Sequence, residues 1–141
     1  MRRASLVLLL VLGCTSPSAP PPGAAGPVEA AQEFAAALQR GDAATAYGLL
    51  SARTQREADQ VAAKARAAGG DAGGVPASGR QMLFASALPQ GKVDVREVAR
   101  QGDVAQVEVV DAAHRSRTYR VVREGNLWKL DLDLLGSDGG R

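Results

Sequence analysis

The sequence predicts an α+β domain in which N-terminal helices pack on a four-stranded antiparallel meander sheet. Apolar residues recur at helical spacing as far as Leu88, and from Val93 onward they alternate with polar residues. Short turn-like segments separate the alternating runs, which favours strands that pair in sequence order. The chain has 141 residues, enough for one domain, and only 4% of them are aromatic. We therefore expect a core made mainly of Val, Leu and Ala.

The chain begins with a short basic and apolar leader. Arg2 and Arg3 precede an apolar run over residues 4–12, which as a helix would cover about 14 Å, roughly half of a bilayer core. Such a run is too short to span a membrane and has the length of a secretory signal. Residues 1–13 are therefore predicted to be a signal peptide.

The leader ends in Val11-Leu12-Gly13-Cys14, which resembles the lipobox of bacterial lipoproteins. In that family a small residue precedes a cysteine whose thiol is acylated before cleavage makes it the N-terminus. The single cysteine of the chain lies at this position; the alternative is an ordinary signal peptide that happens to carry a cysteine. The resemblance implies an exported protein anchored to the cell membrane through lipid on Cys14. Because Thr15 follows, it implies the periplasmic face of the outer membrane if the host is Gram-negative.

Residues 14–27 are predicted to form a disordered tether after the lipidated cysteine. The stretch 15–27 holds five of the seven prolines and no charge, so it favours extended conformers and cannot bury a core. At about 3.1 Å per residue it reaches roughly 40 Å at most. The folded domain is expected over residues 28–134, followed by a disordered tail at 135–141.

The first part of the domain carries the signals of two helices. Pro27 suits a first helical position, Glu29 complements the dipole in the first turn, and Gly41 marks the end. Asp42 is expected to cap a second, short helix. The residues expected to face the core are Val28, Ala31, Phe34, Ala35, Leu38, Ala46, Leu49 and Leu50.

Two further helical segments are predicted before the strands. Thr54-Gln55-Arg56-Glu57 has the pattern of a capping box that opens a third helix, which ends at Gly69-Gly70. A glycine-rich loop follows, and Ser78 with Gln81 is expected to cap a helical or turn-like segment from Arg80 to Leu88.

The remaining residues predict four strands with one apolar and one polar face. Turn-like breaks fall at 100–103, 112–115 and 124–126. One face should cover the helices, while the other meets water or a partner, which leaves room for a homodimer through the sheet. The predicted polar face comprises Arg96, Gln106, Glu108, Arg120, Lys129 and Asp131.

This order of elements resembles the NTF2-like (cystatin-like cone) superfamily. Residues 27–51 resemble the opening of small lipoproteins of that fold, "helix, Gly-Asp, helix, Leu-Leu-Ser". Residues 121–130 resemble their closing "Val-x-Glu-x-Gly-x-Trp-Lys" hairpin. The resemblance covers most of residues 27–134 and implies a cone with an open mouth between sheet and helices. Many relatives are domains of unknown function, so it implies no particular chemistry.

Four aromatic side chains are candidates to line such a pocket: Tyr47, Phe84, Tyr119 and Trp128. Core packing is the favoured interpretation of Trp128, with ligand stacking as the alternative. The two tyrosines are either core residues with one solvated end or hydroxyl donors to a ligand.

The titratable residues do not form a recognisable catalytic set. His114 falls in a strand-connecting turn, and solvation is the expected state of Asp94, Asp111, Asp131 and Asp133. Arg115, Arg117, Arg120 and Arg123 concentrate positive charge along one hairpin edge; a solvated face is favoured there over contact with anionic lipid or an acidic partner. No catalytic, metal-binding or cofactor-binding residue is predicted.

The sequence therefore predicts a membrane-anchored, non-catalytic module of the cell envelope that binds a protein, a peptide or a small apolar ligand. The alternative is a small hydrolase, isomerase or dehydratase that uses a tyrosine or aspartate inside the cone. Nucleic acid is not an expected partner, because loss of Arg2 and Arg3 with the leader would bring the formal charge from +2 to zero.

Overall fold

The computed structural model describes residues 23–69, 74–85 and 91–135. The predicted signal peptide, Cys14 and the first part of the tether lie outside the described residues. So do the predicted end of the fourth helical segment, at Leu88 and Pro89, and all of the predicted tail except Leu135.

Four helices precede four strands, and the α+β class predicted from the sequence is confirmed. The sheet is antiparallel throughout, and its strands follow one another in the order β1-β2-β3-β4. The elements are α1 (Pro27–Gln39), α2 (Ala43–Gly48), α3 (Ala52–Gly69), α4 (Gly79–Phe84), β1 (Val93–Gln101), β2 (Val104–Asp111), β3 (Ser116–Glu124) and β4 (Leu127–Asp131).

The ends of the first two helices follow the sequence signals. Pro27 is the first residue of α1, and Gly41 after its end takes a φ of +68°, which glycine adopts without strain. Asp42 accepts a hydrogen bond from the backbone N–H of Thr45 at 3.0 Å, and this confirms the predicted cap of α2.

The start of α3 corrects the prediction. The helix begins at Ala52, before the expected capping box, and Thr54 lies in its first turn. The Oγ of Ser51 accepts from the backbone N–H of Thr54 at 3.1 Å, so Ser51 supplies the capping oxygen. The Thr54 hydroxyl instead accepts from the backbone N–H of Leu132 at 2.8 Å, which ties α3 to the end of the sheet.

The short helix α4 packs against the middle of α3 at very close range. Ser78 accepts from the N–H of Gln81 at 3.2 Å, as the sequence predicted for this cap. Gly79 is buried, and a Cβ there would lie 2.6 Å from the backbone carbonyl carbon of Ala58. Only glycine therefore fits at this crossing, because the neighbouring atoms are backbone and cannot move aside.

The two edge strands of the sheet differ in whether their outer backbone groups are hydrogen-bonded. The outer edge of β4 bonds to Ala24, through the N–H and C=O of Trp128, and to the segment 49–51, through Leu130. The other edge is β1, which is irregular between Glu97 and Ala99 and exposes Val98 at 48%. Bulges and charged residues of this kind discourage edge-to-edge pairing.

The core lies between α1 and one face of the sheet, called the inner face below. Small residues of α1 pack closely on the strands, as the composition led us to expect. Ala24 belongs to this core and is 3% exposed, so the folded region begins before the boundary predicted at Val28. The buried cluster comprises Ala24, Ala30, Ala31, Leu50, Ala105, Val107, Val121, Trp128 and Leu130.

Candidate functional site

A mouth opens between α1 and the inner face, at the end of the sheet that carries the β2–β3 turn. Its floor is a small apolar cavity of about 50 Å³, and above it lies a more polar entrance of about 220 Å³. Val93, Val109 and Tyr119 line both spaces and join them into one site. The other floor residues are Ala31, Phe34, Ala35, Leu38 and Leu130, and the other entrance residues are Asp111, Arg115, Ser116 and Arg117.

Strand register explains why charged side chains border this apolar floor. Val107 pairs with Tyr119, and two residues further along Val109 pairs with Arg117. Directly opposed residues of an antiparallel pair lie on the same face of the sheet. Arg117 therefore shares the inner face with Tyr119. Tyr119 is half-buried, whereas Arg117 lies at the margin of the core and is exposed to solvent.

Asp111 at the entrance is held by the turn that follows it. Its Oδ1 accepts from the backbone N–H groups of Ala113 and Arg115, at 2.8 and 3.0 Å, and its Oδ2 accepts from Arg115 Nε at 2.8 Å. The bonds from the Arg115 backbone and side chain lower the pKa of Asp111 below its usual value. This carboxylate is therefore ionised at neutral pH and engaged by the turn, although its contacts are exposed to solvent.

The four arginines of the hairpin edge differ in their partners. Arg115 pairs with Asp111, Arg120 with Asp131, and Arg123 approaches Asp103 at 3.7 Å. The Arg117 side chain has no hydrogen bond or ion pair with any residue that the structure describes. It is the one arginine of the four whose guanidinium these residues leave available for a ligand at the entrance.

The four aromatic candidates occupy different environments. Tyr119 lines both parts of the mouth, whereas Trp128 is 5% exposed within the core. The ring of Phe84 packs against Phe34, with centroids 6.2 Å apart. The Tyr47 hydroxyl donates to the backbone carbonyl of Gln55 at 3.0 Å, and burial together with the neighbouring Asp59 raises the pKa of Tyr47 to about 12.

Asp131 is a correction to the sequence prediction, since it is buried rather than solvated. Its Oδ1 accepts from Ser51 Oγ at 2.6 Å and from Arg53 Nε at 3.0 Å, and its Oδ2 accepts from Arg120. The start of α3 covers the outer face of the sheet at this point, because segment 49–51 is bonded alongside β4. The contacts from Ser51 and Arg53 join the start of α3 to the sheet, and the contact from Arg120 joins β3 to β4, so the cluster is a structural clasp.

Comparisons with protein-family models, with curated proteins and with solved structures found no match to this chain. Within residues 23–69, 74–85 and 91–135, no helix is long and apolar enough to cross a membrane. The same residues contain no group of three metal-ligating side chains.

Sequence reasoning missed the position of Arg117 at the mouth, although the alternation of β3 indicated it. The alternation that places Tyr119 and Val121 on the inner face also places Arg117 there, two residues earlier. The pairing of Asp111 with Arg115 was also accessible, because an aspartate before a tight turn commonly accepts from the N–H groups that follow it.

Proposed function

We propose that this protein is a lipid-anchored lipoprotein of the cell envelope with an NTF2-like cone, whose mouth binds a small apolar ligand without transforming it. Among the ligands that the sequence left open, a small molecule fits best. The apolar floor is only about 50 Å³, which accommodates a short aliphatic or aromatic group rather than a peptide segment.

The observation that carries this proposal is an apolar floor beneath a polar entrance. The rest of the inner face is filled by side chains such as Ala105, Val107 and Val121, which are at most 1% exposed. Two of the groups that the enzyme alternative would use are otherwise engaged: Asp111 is bonded to Arg115, and the Tyr47 hydroxyl donates to Gln55 and stays protonated across the physiological range. Binding is therefore better supported than catalysis.

The point at which the chain enters the domain lies away from the mouth. The chain enters the domain at Ala24, which bonds to Trp128 near the β3–β4 turn. The mouth lies beside the β2–β3 turn, at the opposite end of β3, whose nine residues span about 30 Å. A ligand can thus reach the mouth from the aqueous side while the tether enters at the other end.

Filling the floor should abolish binding of an apolar probe. We expect 1-hexanol to shift the amide resonances of Val109 and Tyr119 saturably in the mature chain, residues 14–141 carrying Cys14→Ser, which contains all eight elements. Leu38→Trp places an indole in the floor and should weaken binding at least tenfold, because little space remains. Titrations followed by ¹H–¹⁵N NMR measure this.

Val98→Trp is the matched control, because it adds the same indole at an exposed site of β1. It should bind the probe like the parent chain. Equal binding by the Leu38→Trp and Val98→Trp variants, or no saturable shift in the parent chain, would contradict the proposed site.

The anchor has its own test. Intact-mass spectrometry of the protein extracted from bacterial membranes should show a chain that begins at Cys14 and carries acyl mass. Two or three acyl chains hold a protein at a bilayer almost permanently, since each buried methylene contributes about 0.8 kcal/mol. The Cys14→Ser chain should keep residues 1–13 and carry no acyl mass. A free thiol on Cys14 in the mature wild-type protein would refute the anchor.

A further inference from the structure

We infer that the ligand of the mouth is a small carboxylate with a short apolar tail, and that Arg117 is the residue that selects its anionic group. This inference rests on the proposed function, because it specifies which small apolar ligand the mouth accepts.

The charge of the entrance is the first argument. Its charged residues are Asp111, Arg115 and Arg117. Asp111 and Arg115 neutralise each other through two nitrogen–oxygen contacts, at 2.7 and 2.8 Å. The entrance is thus left with one net positive charge, on a guanidinium that has no partner among the described residues. A single negative charge on the ligand would complement it.

The arrangement of polar and apolar surface is the second argument. Arg117 precedes Tyr119 by two residues on the same face of β3, and Tyr119 also lines the floor. A ligand whose tail occupies the floor would therefore place a terminal group beside Arg117. Guanidinium presents two parallel N–H donors that match a carboxylate, and Ser116 at the same entrance adds a hydroxyl.

The fixed state of Asp111 is the third argument. Ala113 and Arg115 supply three hydrogen-bond donors to its two oxygens. The carboxylate is therefore already occupied and does not attract a cationic ligand. The same bonds keep Arg115 in place. An amine of the same size should find no equivalent partner at this entrance, and its positive charge would be repelled by that of Arg117.

Matched six-carbon probes test the inference on the mature chain with Cys14→Ser. Hexanoate should bind about fivefold more tightly than 1-hexanol, and hexylamine more weakly than either, when followed by ¹H–¹⁵N NMR at low salt. Arg117→Ala should remove the fivefold preference and leave the affinity for 1-hexanol unchanged. Arg117→Lys should retain part of it, since the charge remains but the paired donors are lost.

Arg96→Ala is the control, because this arginine pairs with Glu108 on the other face of the sheet. It should leave every affinity unchanged. Equal binding of hexanoate and 1-hexanol, or a preference that survives in the Arg117→Ala variant, would overturn the inference while leaving the proposed function intact. If neither probe binds in the mouth, the proposed function fails with it.

Dodecanoate distinguishes a short free acid from the head of a long-chain lipid. The floor holds only about 50 Å³ and is lined by the buried residues Ala31 and Leu130, so we expect the added methylenes to remain in solvent. We expect dodecanoate below its micelle concentration to bind within twofold of hexanoate. Binding that strengthens steeply with chain length would contradict the short-tail part of the inference.

Discussion

Replacement of Trp128 by alanine is expected to lower the free energy of unfolding by about 4 kcal/mol. The indole is the largest side chain of the buried cluster and is 5% exposed, and large-to-small changes of this kind cost about 3–5 kcal/mol. The site cannot collapse easily, because Ala24 is bonded on one side of Trp128 and Arg123 pairs with it on the other.

Urea denaturation followed by far-ultraviolet circular dichroism measures this loss, because Trp128 is the single tryptophan and the variant has no indole fluorescence. Trp128→Phe is the matched control, and it should recover about half of the lost stability by refilling part of the cavity. Arg100 lies 5.1 Å from the centre of the ring and covers its exposed margin. A loss under 1 kcal/mol for Trp128→Ala would show that the ring is not part of the core.

The strands could be predicted well because one rule, the alternation of side chains between the two faces of a sheet, applies along each of them. Alternating residues face opposite sides of a sheet, so the spacing within β4 predicts that Trp128 and Leu130 share one face, and both are buried. Glycines at the tight turns reinforced the register, and Gly102 and Gly125 indeed adopt φ values of +59° and +63°. The rule also holds at Arg117, which lies on the inner face, but there the strand reaches the margin of the core and the side chain is exposed.

The contacts that join distant segments could not be predicted in this way. Ser51 and Thr54 are both favoured capping residues in sequence. Ser51 caps α3 in the structure because its backbone N–H is bonded to Leu130, which is distant in sequence, and this fixes where the helix begins. Ala24 was assigned to a tether for a related reason, since its composition gives no sign of the edge of β4 that it covers.

Asp131 shows the same limit and has a large energetic consequence. Alternation correctly placed it on the outer face of β4, but the start of α3 covers that position, and the side chain is 3% exposed. Asp131→Ala removes the acceptor shared by Ser51, Arg53 and Arg120. We expect a loss of about 3 kcal/mol, the lower end for breaking a buried pair, because both arginines are partly exposed and can be hydrated. Urea denaturation at pH 7 measures it.

The decrease in the free energy of unfolding at acid pH provides a sharper test of this clasp. Burial alone would raise the pKa of Asp131, but hydrogen bonds from Arg53 and Ser51 and the charges of Arg53 and Arg120 outweigh it, so the pKa is lowered. Stability from this group is therefore complete above the unfolded value of about 3.9 and is lost as the pH falls through the lower folded value.

Asp131→Asn keeps the size of the side chain but removes its charge, so we expect it to be less stable than the parent chain at pH 7 and to lose less stability below pH 4. Asp111→Asn is the matched control, since the pKa of Asp111 is also lowered but its contacts are exposed and contribute less. Urea titrations between pH 2 and pH 7 compare the three chains. If the Asp131→Asn and parent chains lose stability in parallel below pH 4, Asp131 is not held as an anion, and α3 must be fastened to the sheet by its other contacts, such as those of Ala52 with Glu124 and of Thr54 with Leu132.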